Sequence, residues 1–418
     1  MQHVGMNTLT PAGNRLDVEH AAHRSLRIAV VTETYPPEVN GVALTMARVV
    51  EGLHRRGHDL QLIRPRQQAG ETVAARARFE QVLVGGLPIP RYPNLRMGLP
   101  AGRALTRLWQ AQRPDVVHIA TEGPLGWSAL QAARALGLPV SSDFRTNFDA
   151  YSQHYGIGCL MRPIRGYLRA FHNRTTCTMV PTEGLRRELE AAGFERLNVV
   201  TRGVDTRLFM PHRRSQALRE QWGAGPEDLV VMCVGRLAAE KNLGVLLSAH
   251  EAIRQIDPNA RLVMVGDGPQ RAELQARCPQ AVFAGQRRGD DLAAHYASAD
   301  LFLFPSLTET FGNVTAEAMA SGLPVLAFAY AAAAQLIRHG INGALAPVDD
   351  TAAFVRAAVE LAADAAQRRD IGLQARKTAE TLDWDSIVAR FEGVLRQVMH
   401  SADAPATITL PARRHPVA

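Results

Sequence analysis

The sequence predicts an α/β protein of two Rossmann-like, doubly wound parallel-sheet domains facing a central cleft. Three observations carry that reading. Short β-branched runs alternate with helical periodicities along most of the chain, the alternation breaks once near the middle and restarts, and 418 residues suffice for two or three domains. Alternation of this kind means βαβ units and a parallel sheet, and such sheets bind ligands beyond the carboxyl ends of their strands.

Residues 1–25 carry His, Asp, Glu and Asn without an apolar run, so they read as a disordered tail and not as a secretory leader. Arg27-Ile-Ala-Val-Val is the first buried strand. Pro36-Pro37 stops it, and Asn40-Gly41 opens a helix that ends at Gly57. Strands follow at Leu60, Asp115–Ile119, Pro139–Asp143 and Thr178–Val180, with helices over Gly126–Leu136 and Glu183–Ala191. The first domain therefore covers residues 26–207. The polar stretch His212–Gln221 has no apolar periodicity and predicts a linker over residues 208–226. Strands at Leu229–Gly235, Arg261–Gly266, Val282–Gly285, Leu301–Phe304 and Pro324–Phe328 then build a second domain over residues 227–382. A helix over residues 383–400, beginning near Trp384, is expected to return to the first domain, and residues 401–418 read as a second tail.

Composition narrows the function. The net charge of +7 favours polyanionic company, yet the 47 basic residues include only two lysines, Lys241 and Lys377. The four cysteines, Cys159, Cys177, Cys233 and Cys278, have no Cys-x-x-Cys spacing, which argues against zinc and disulfides and fits a reducing cytoplasm. The longest apolar stretch, Pro324–Ile337, is too short to span a bilayer, which needs ~20 residues. The glycine patterns of dinucleotide oxidoreductases, Walker-type NTPases and α/β-hydrolases are all absent.

Two segments carry chemistry. Gly235-Arg236 ends a strand and Lys241-Asn242 opens the next helix, which puts two cations and backbone N–H groups where a diphosphate fits; solvated surface charge is the plainer alternative. Glu309-Thr-Phe-Gly-Asn-Val-Thr-Ala-Glu317 follows a buried strand and leads into a helix. Glu317 could present a carboxylate to vicinal hydroxyls, but the two carboxylates could equally be solvated or form a metal pair.

Taken in order, Thr34–Val42, Arg55–Leu60, Gly235–Asn242, Gly266–Pro269 and the Glu309-x7-Glu317 pattern resemble the motifs of glycosyltransferase family 4, retaining enzymes of the GT-B fold, over residues 26 to 400. The resemblance implies that Arg236 and Lys241 neutralise the leaving β-phosphate of a nucleotide sugar in place of a metal. It implies that Glu317 binds the ribose hydroxyls and Glu309 a sugar hydroxyl, with the backbone of Phe311, Gly312, Asn313 and Val314 on sugar and phosphate. Gly41 would let the chain approach the diphosphate, and His118, ending its strand, would position the sugar. Asn40 and Arg145 fall to the acceptor side. Where several relatives carry His-Thr this chain has Arg145-Thr146, which suits either an anionic acceptor or donor group or an ion pair with Asp143 or Asp149.

The implied reaction moves a hexose from a nucleoside diphosphate sugar, GDP-mannose ahead of UDP-glucose, to a hydroxyl of a lipid or polyol acceptor. No cofactor and no metal are expected. Alternatives are an epimerase or polysaccharide synthase of the same fold, and nucleic-acid binding, which lacks recognition-helix and aromatic-platform signatures. Between Leu160 and Arg174, apolar residues at helical spacing alternate with Arg162, Arg165, Arg169 and Arg174. Such a helix either rests on anionic lipid at the cytoplasmic membrane face or packs its apolar side on the first sheet.

Overall fold

The computed structural model describes residues 24–38, 41–68, 70–73, 78–89, 92–145 and 161–403. Fifteen strands are present among them: β1 (Arg27–Val31), β2 (Asp59–Pro65), β3 (Glu80–Val84), β4 (Gly86–Ile89), β5 (Tyr92–Gly98), β6 (Val116–Ile119), β7 (Val140–Asp143), β8 (Cys177–Val180), β9 (Leu197–Val199), β10 (Val230–Val234), β11 (Arg261–Val265), β12 (Val282–Gly285), β13 (Leu301–Phe304), β14 (Val325–Phe328) and β15 (Ala344–Ala346). They form a seven-stranded sheet ordered β3-β2-β1-β6-β7-β8-β9, a six-stranded sheet ordered β12-β11-β10-β13-β14-β15, and the hairpin β4-β5. Every pairing in both large sheets is parallel.

The strand sequences explain why both sheets are covered on two faces. Ile28 and Val30 of β1 join one apolar cluster while Ala29 and Val31 join another, as the two-residue period of a strand requires. The second sheet repeats the arrangement, with Val230, Met232 and Val234 on one side and Val231 and Cys233 on the other. In each sheet the order reverses beside the first strand, at β1/β6 and β10/β13, which opens a crevice at the strand ends.

The segment 208–226, expected as a linker, is a packed part of the second domain. It folds into a 3-10 turn, Pro211–Arg213, and a short helix, Gln216–Gln221, while Phe209, Trp222 and Ala224 enter the second core. Its polar appearance is misleading because Arg219 is fully buried and satisfied by the backbone carbonyls of Gly225 and Ser298 and by Asp300. The crossing between domains lies earlier, where Val204 N–H donates to the Leu382 carbonyl.

The last helix, Trp384–Asp403, lies on the first domain. Val388, Phe391, Leu395 and Val398 complete the core formed by Met46, Val50 and Leu53 of the first helix, Gly41–Arg55. Arg55 pairs with Asp385 and Arg56 with Glu392 along the same seam. In the helix Met161–His172, Leu168 and Phe171 are buried in the first domain, which is the packing alternative for its apolar side; Arg162, Arg165 and Arg169 are exposed. Among the described residues, no helix is long and apolar enough to cross a membrane.

Candidate functional site

The carboxyl ends of β10, β11 and β13 carry three loops that interlock. Gly266 has φ +141°, and a Cβ there would stand 1.9 Å from the Gly235 carbonyl oxygen, so the two strand-end loops meet backbone to backbone. Leu237 N–H donates to the Asp267 carbonyl, and Gln270 N–H donates to that of Leu237. The third loop is fastened by the Thr308 hydroxyl, which donates to the Glu240 carbonyl at 2.9 Å.

This fastening brings Lys241 and Glu309 together. Lys241 sits at the end of the 3-10 turn Ala239–Lys241, and its Nζ pairs with Glu309 Oε1, which also accepts from the Ser306 hydroxyl at 2.8 Å. Arg236 pairs with Glu240 and keeps its side chain 37% exposed. The helix Asn313–Ala320 starts from Gly312, whose φ of +91° is a left-handed value. The N-terminal N–H groups of that helix lack intrahelical partners, and its dipole favours negative charge. Phe311 anchors the turn in the core, and Val314 packs partly against the same core.

Glu317 lies one turn inside that helix, where the fully buried Tyr296 donates its hydroxyl to Oε2 at 2.9 Å. Burial pushes the Glu317 carboxyl up to about 7, against which the Tyr296 hydrogen bond pulls down. The group is thus poised to ionise near neutrality and to accept from vicinal hydroxyls.

From the first domain, Gly41 begins the first helix opposite Asn313. A Cβ on Gly41 would lie 3.8 Å from both Asn313 Nδ2 and Arg202 Nη1, so the two domains meet at this point. Asn40 lies outside the described residues. His118, at the end of β6, is fully buried. Its Nε2 is 3.3 Å from Asp143 Oδ2 and its Nδ1 3.0 Å from the Ser141 hydroxyl, while its ring packs edge-on against Phe391 at 4.8 Å. Asp143 also accepts from Arg145 Nε at 2.6 Å, and despite burial Arg145 and His118 hold its carboxyl down at about 2. Ionised Asp143 is thus held between Arg145 and His118 Nε2, with Ser141 on the other ring nitrogen. Arg145 is thereby placed in its ion-pair alternative, and His118 faces Asp143 and Phe391 in place of open cleft.

One residue at the centre was not anticipated. Arg202 follows β9, is 8% exposed, and stands over the Phe311 ring at 5.7 Å. Nothing local in the sequence marks one arginine among so many, and only its place just before the domain crossing hinted at the cleft.

A cavity of about 740 Å³ extends from Glu309 and Thr310 between the helices Met161–His172, Glu183–Ala191 and Ala331–Leu336. Its wall is largely apolar, with Phe144, Leu168, Leu185, Leu189 and Phe194. Among the described residues, no group of three or more His, Cys, Asp or Glu is placed to hold a metal ion.

Comparison with known proteins agrees with this geometry. Residues 39–208 match the family model described as Glycosyltransferase Family 4, and residues 228–364 that of Glycosyl transferases group 1. A GDP-mannose-dependent alpha-mannosyltransferase of Mycolicibacterium smegmatis is 36% identical over 88% of this chain and 98% of its own. An alpha-monoglucosyldiacylglycerol synthase of Streptococcus pneumoniae is 24% identical over 77% of this chain and 75% of its own. Among solved structures, Anabaena HepE in complex with UDP and glucose superposes with a TM-score of 0.69 at 19% identity, over 89% of this chain and all of that one. This last likeness bears on the fold, which is GT-B.

Proposed function

The chain belongs to glycosyltransferase family 4, a hexosyltransferase using a nucleotide sugar, and on that premise we propose that it transfers mannose from GDP-mannose to a hydroxyl of a membrane lipid, with retention at the anomeric carbon and without a metal. The observation that carries the donor is the 36% identity, over nearly the full length, to a GDP-mannose-dependent relative. UDP-glucose stands second.

In this reading Lys241 and Arg236 exchange Glu309 and Glu240 for the oxygens of the donor diphosphate. As the bond from C1 to the phosphate oxygen breaks, its electrons settle on the β-phosphate, and the two cations stabilise charge where it develops. Glu309, freed from Lys241, accepts from a sugar hydroxyl, and Glu317 accepts from the ribose. The acceptor oxygen attacks C1 from the face the phosphate leaves, and its proton passes to the departing phosphate oxygen. His118 acts on the sugar through the wall it forms with Asp143 and Phe391, and Asn40 serves the acceptor side.

The apolar cavity beside Glu309 and the lipid product named for the pneumococcal relative both favour a lipid acceptor. The exposed arginines of the helix Met161–His172 favour work at the anionic cytoplasmic face of a membrane. A thermal-shift panel tests the donor: GDP-mannose should raise the melting temperature most, UDP-glucose less, and Lys241→Ala should abolish both shifts. No shift with any nucleotide sugar, or undiminished shifts in the variant, would overturn the assignment.

A further inference from the structure

Among the described residues, buried arginines are of two kinds. Arg219 and Arg64 are balanced, the first by backbone carbonyls and Asp300, the second by Glu71. Arg202 is not. It is 8% exposed, yet among the described residues it forms no ion pair with a carboxylate, and its one hydrogen bond, from Nη1 to Asn313 Oδ1, is stretched to 3.5 Å. Its other neighbour is the Phe311 ring. Burial, with the nearby charge of Arg145, pushes the guanidinium down to about 9 against the opposing pull of Asp143 and Glu309, neither within ion-pair distance, so it is still charged at neutral pH.

A buried cation without a counterion is costly, and chains keep one where a ligand supplies the missing charge. The surroundings decide the sign and place of that ligand. Nη1 would lie 3.8 Å from a Cβ on Gly41, the first residue of one helix, and it reaches Asn313, the first residue of another, so two positive helix ends converge beside it. Glu309, paired with Lys241, is close enough to act on its charge.

We infer that Arg202 is a third cation of the donor site, binding the diphosphate of the nucleotide sugar from the junction of the domains, an assignment that rests on the cleft being a nucleotide-sugar site. Arg236 and Lys241 approach the diphosphate from the second domain, and Arg202 closes on it from the crossing segment. Its planar fork spans two oxygens where a lysine would touch one. Binding of the leaving group and the seating of Gly41 against Asn313 thereby become one event.

Calorimetric titration with inorganic pyrophosphate and with GDP-mannose tests the assignment, using wild-type protein, Arg202→Gln and Arg202→Lys. Arg202→Gln should weaken both ligands by roughly ten- to a hundredfold, as loss of a charged hydrogen-bond partner does, with Arg202→Lys intermediate. Because the cation has no direct ion pair to lose and its burial is costly, the unliganded melting temperature of Arg202→Gln should equal or exceed that of the wild type. Unchanged affinity for both ligands would overturn the inference, as would an effect confined to the Michaelis constant of the acceptor. A lower unliganded melting temperature with intact donor affinity would assign Arg202 a structural role instead. Failure of the wild type to bind any nucleotide sugar would overturn the donor reading itself.

Discussion

Lys241 and Glu309 pair across the two loops at the mouth of the second domain, where Glu309 also accepts from the Ser306 hydroxyl. Their side chains are 18% and 17% exposed, so the pair is largely withdrawn from water, and Glu309 keeps the Ser306 hydroxyl as a partner when Lys241 is removed. Lys241→Ala should lower kcat by roughly 10²- to 10³-fold, the cost of losing a group aimed at developing charge, and shift the melting temperature by no more than a few degrees. Steady-state turnover beside a thermal melt checks both halves.

Glu317 sets a pH dependence. Its folded pKa of about 7 lies above the ordinary 4.5, so the folded protein holds a proton that the unfolded chain has lost. Stability contributed by the protonated carboxyl is therefore complete below about 4.5 and declines as pH rises to about 7. Glu33, also raised to about 7 by burial, contributes in the same direction. Glu317→Gln should flatten its share of the slope. On the proposed assignment, in which ribose hydroxyls donate to the carboxylate, donor affinity should climb between about pH 6 and 8 in the wild type and stay level in Glu317→Gln. Melting temperature and donor affinity measured across that range test the two statements.

Asp143 and Arg145 give a double-mutant cycle. Arg145→Ala leaves buried Asp143 with His118 alone and Asp143→Asn removes the charge opposite Arg145, so each should cost about 3–5 kcal/mol in urea melts, with the double variant costing less than the sum. An Arg145 reserved for an acceptor would leave stability unchanged when removed. The depressed Asp143 pKa makes its contribution full above the ordinary carboxylate range and lost as pH falls toward about 2.

Phe391 joins the last helix to the first domain and wedges against His118. Phe391→Ala should cost about 3–5 kcal/mol. Amide exchange should accelerate in β1 and β6 and stay slow in β10 and β13, since the latter belong to a separate core.

Strand periodicity made both sheets legible, because runs such as Arg27–Val31 and Val230–Val234 bury both faces of a parallel sheet and no other element accommodates them so simply. The loops at the ends of β10 and β13 were legible for the same reason, since chemistry there follows from topology. Residues 80–98 were not, because a partly buried edge strand and a hairpin interrupted by Pro88 and Pro93 lack the apolar run that marks a central strand. Arg219 and Arg202 show the remaining limit. Both are single arginines in polar surroundings, and only the packed structure reveals that one is satisfied by carbonyls while the other reaches Asn313 across the domain junction.

Transfer itself can be read from the product. Protein incubated with isotopically labelled GDP-mannose, vesicles containing a glycolipid acceptor and a chelator of divalent metals should move label into the organic-soluble lipid, with an α-linked mannose by NMR and equimolar GDP released. Label that stays with the nucleotide, a β-linked product, or transfer that returns only when metal is restored would show the account of this site to be wrong.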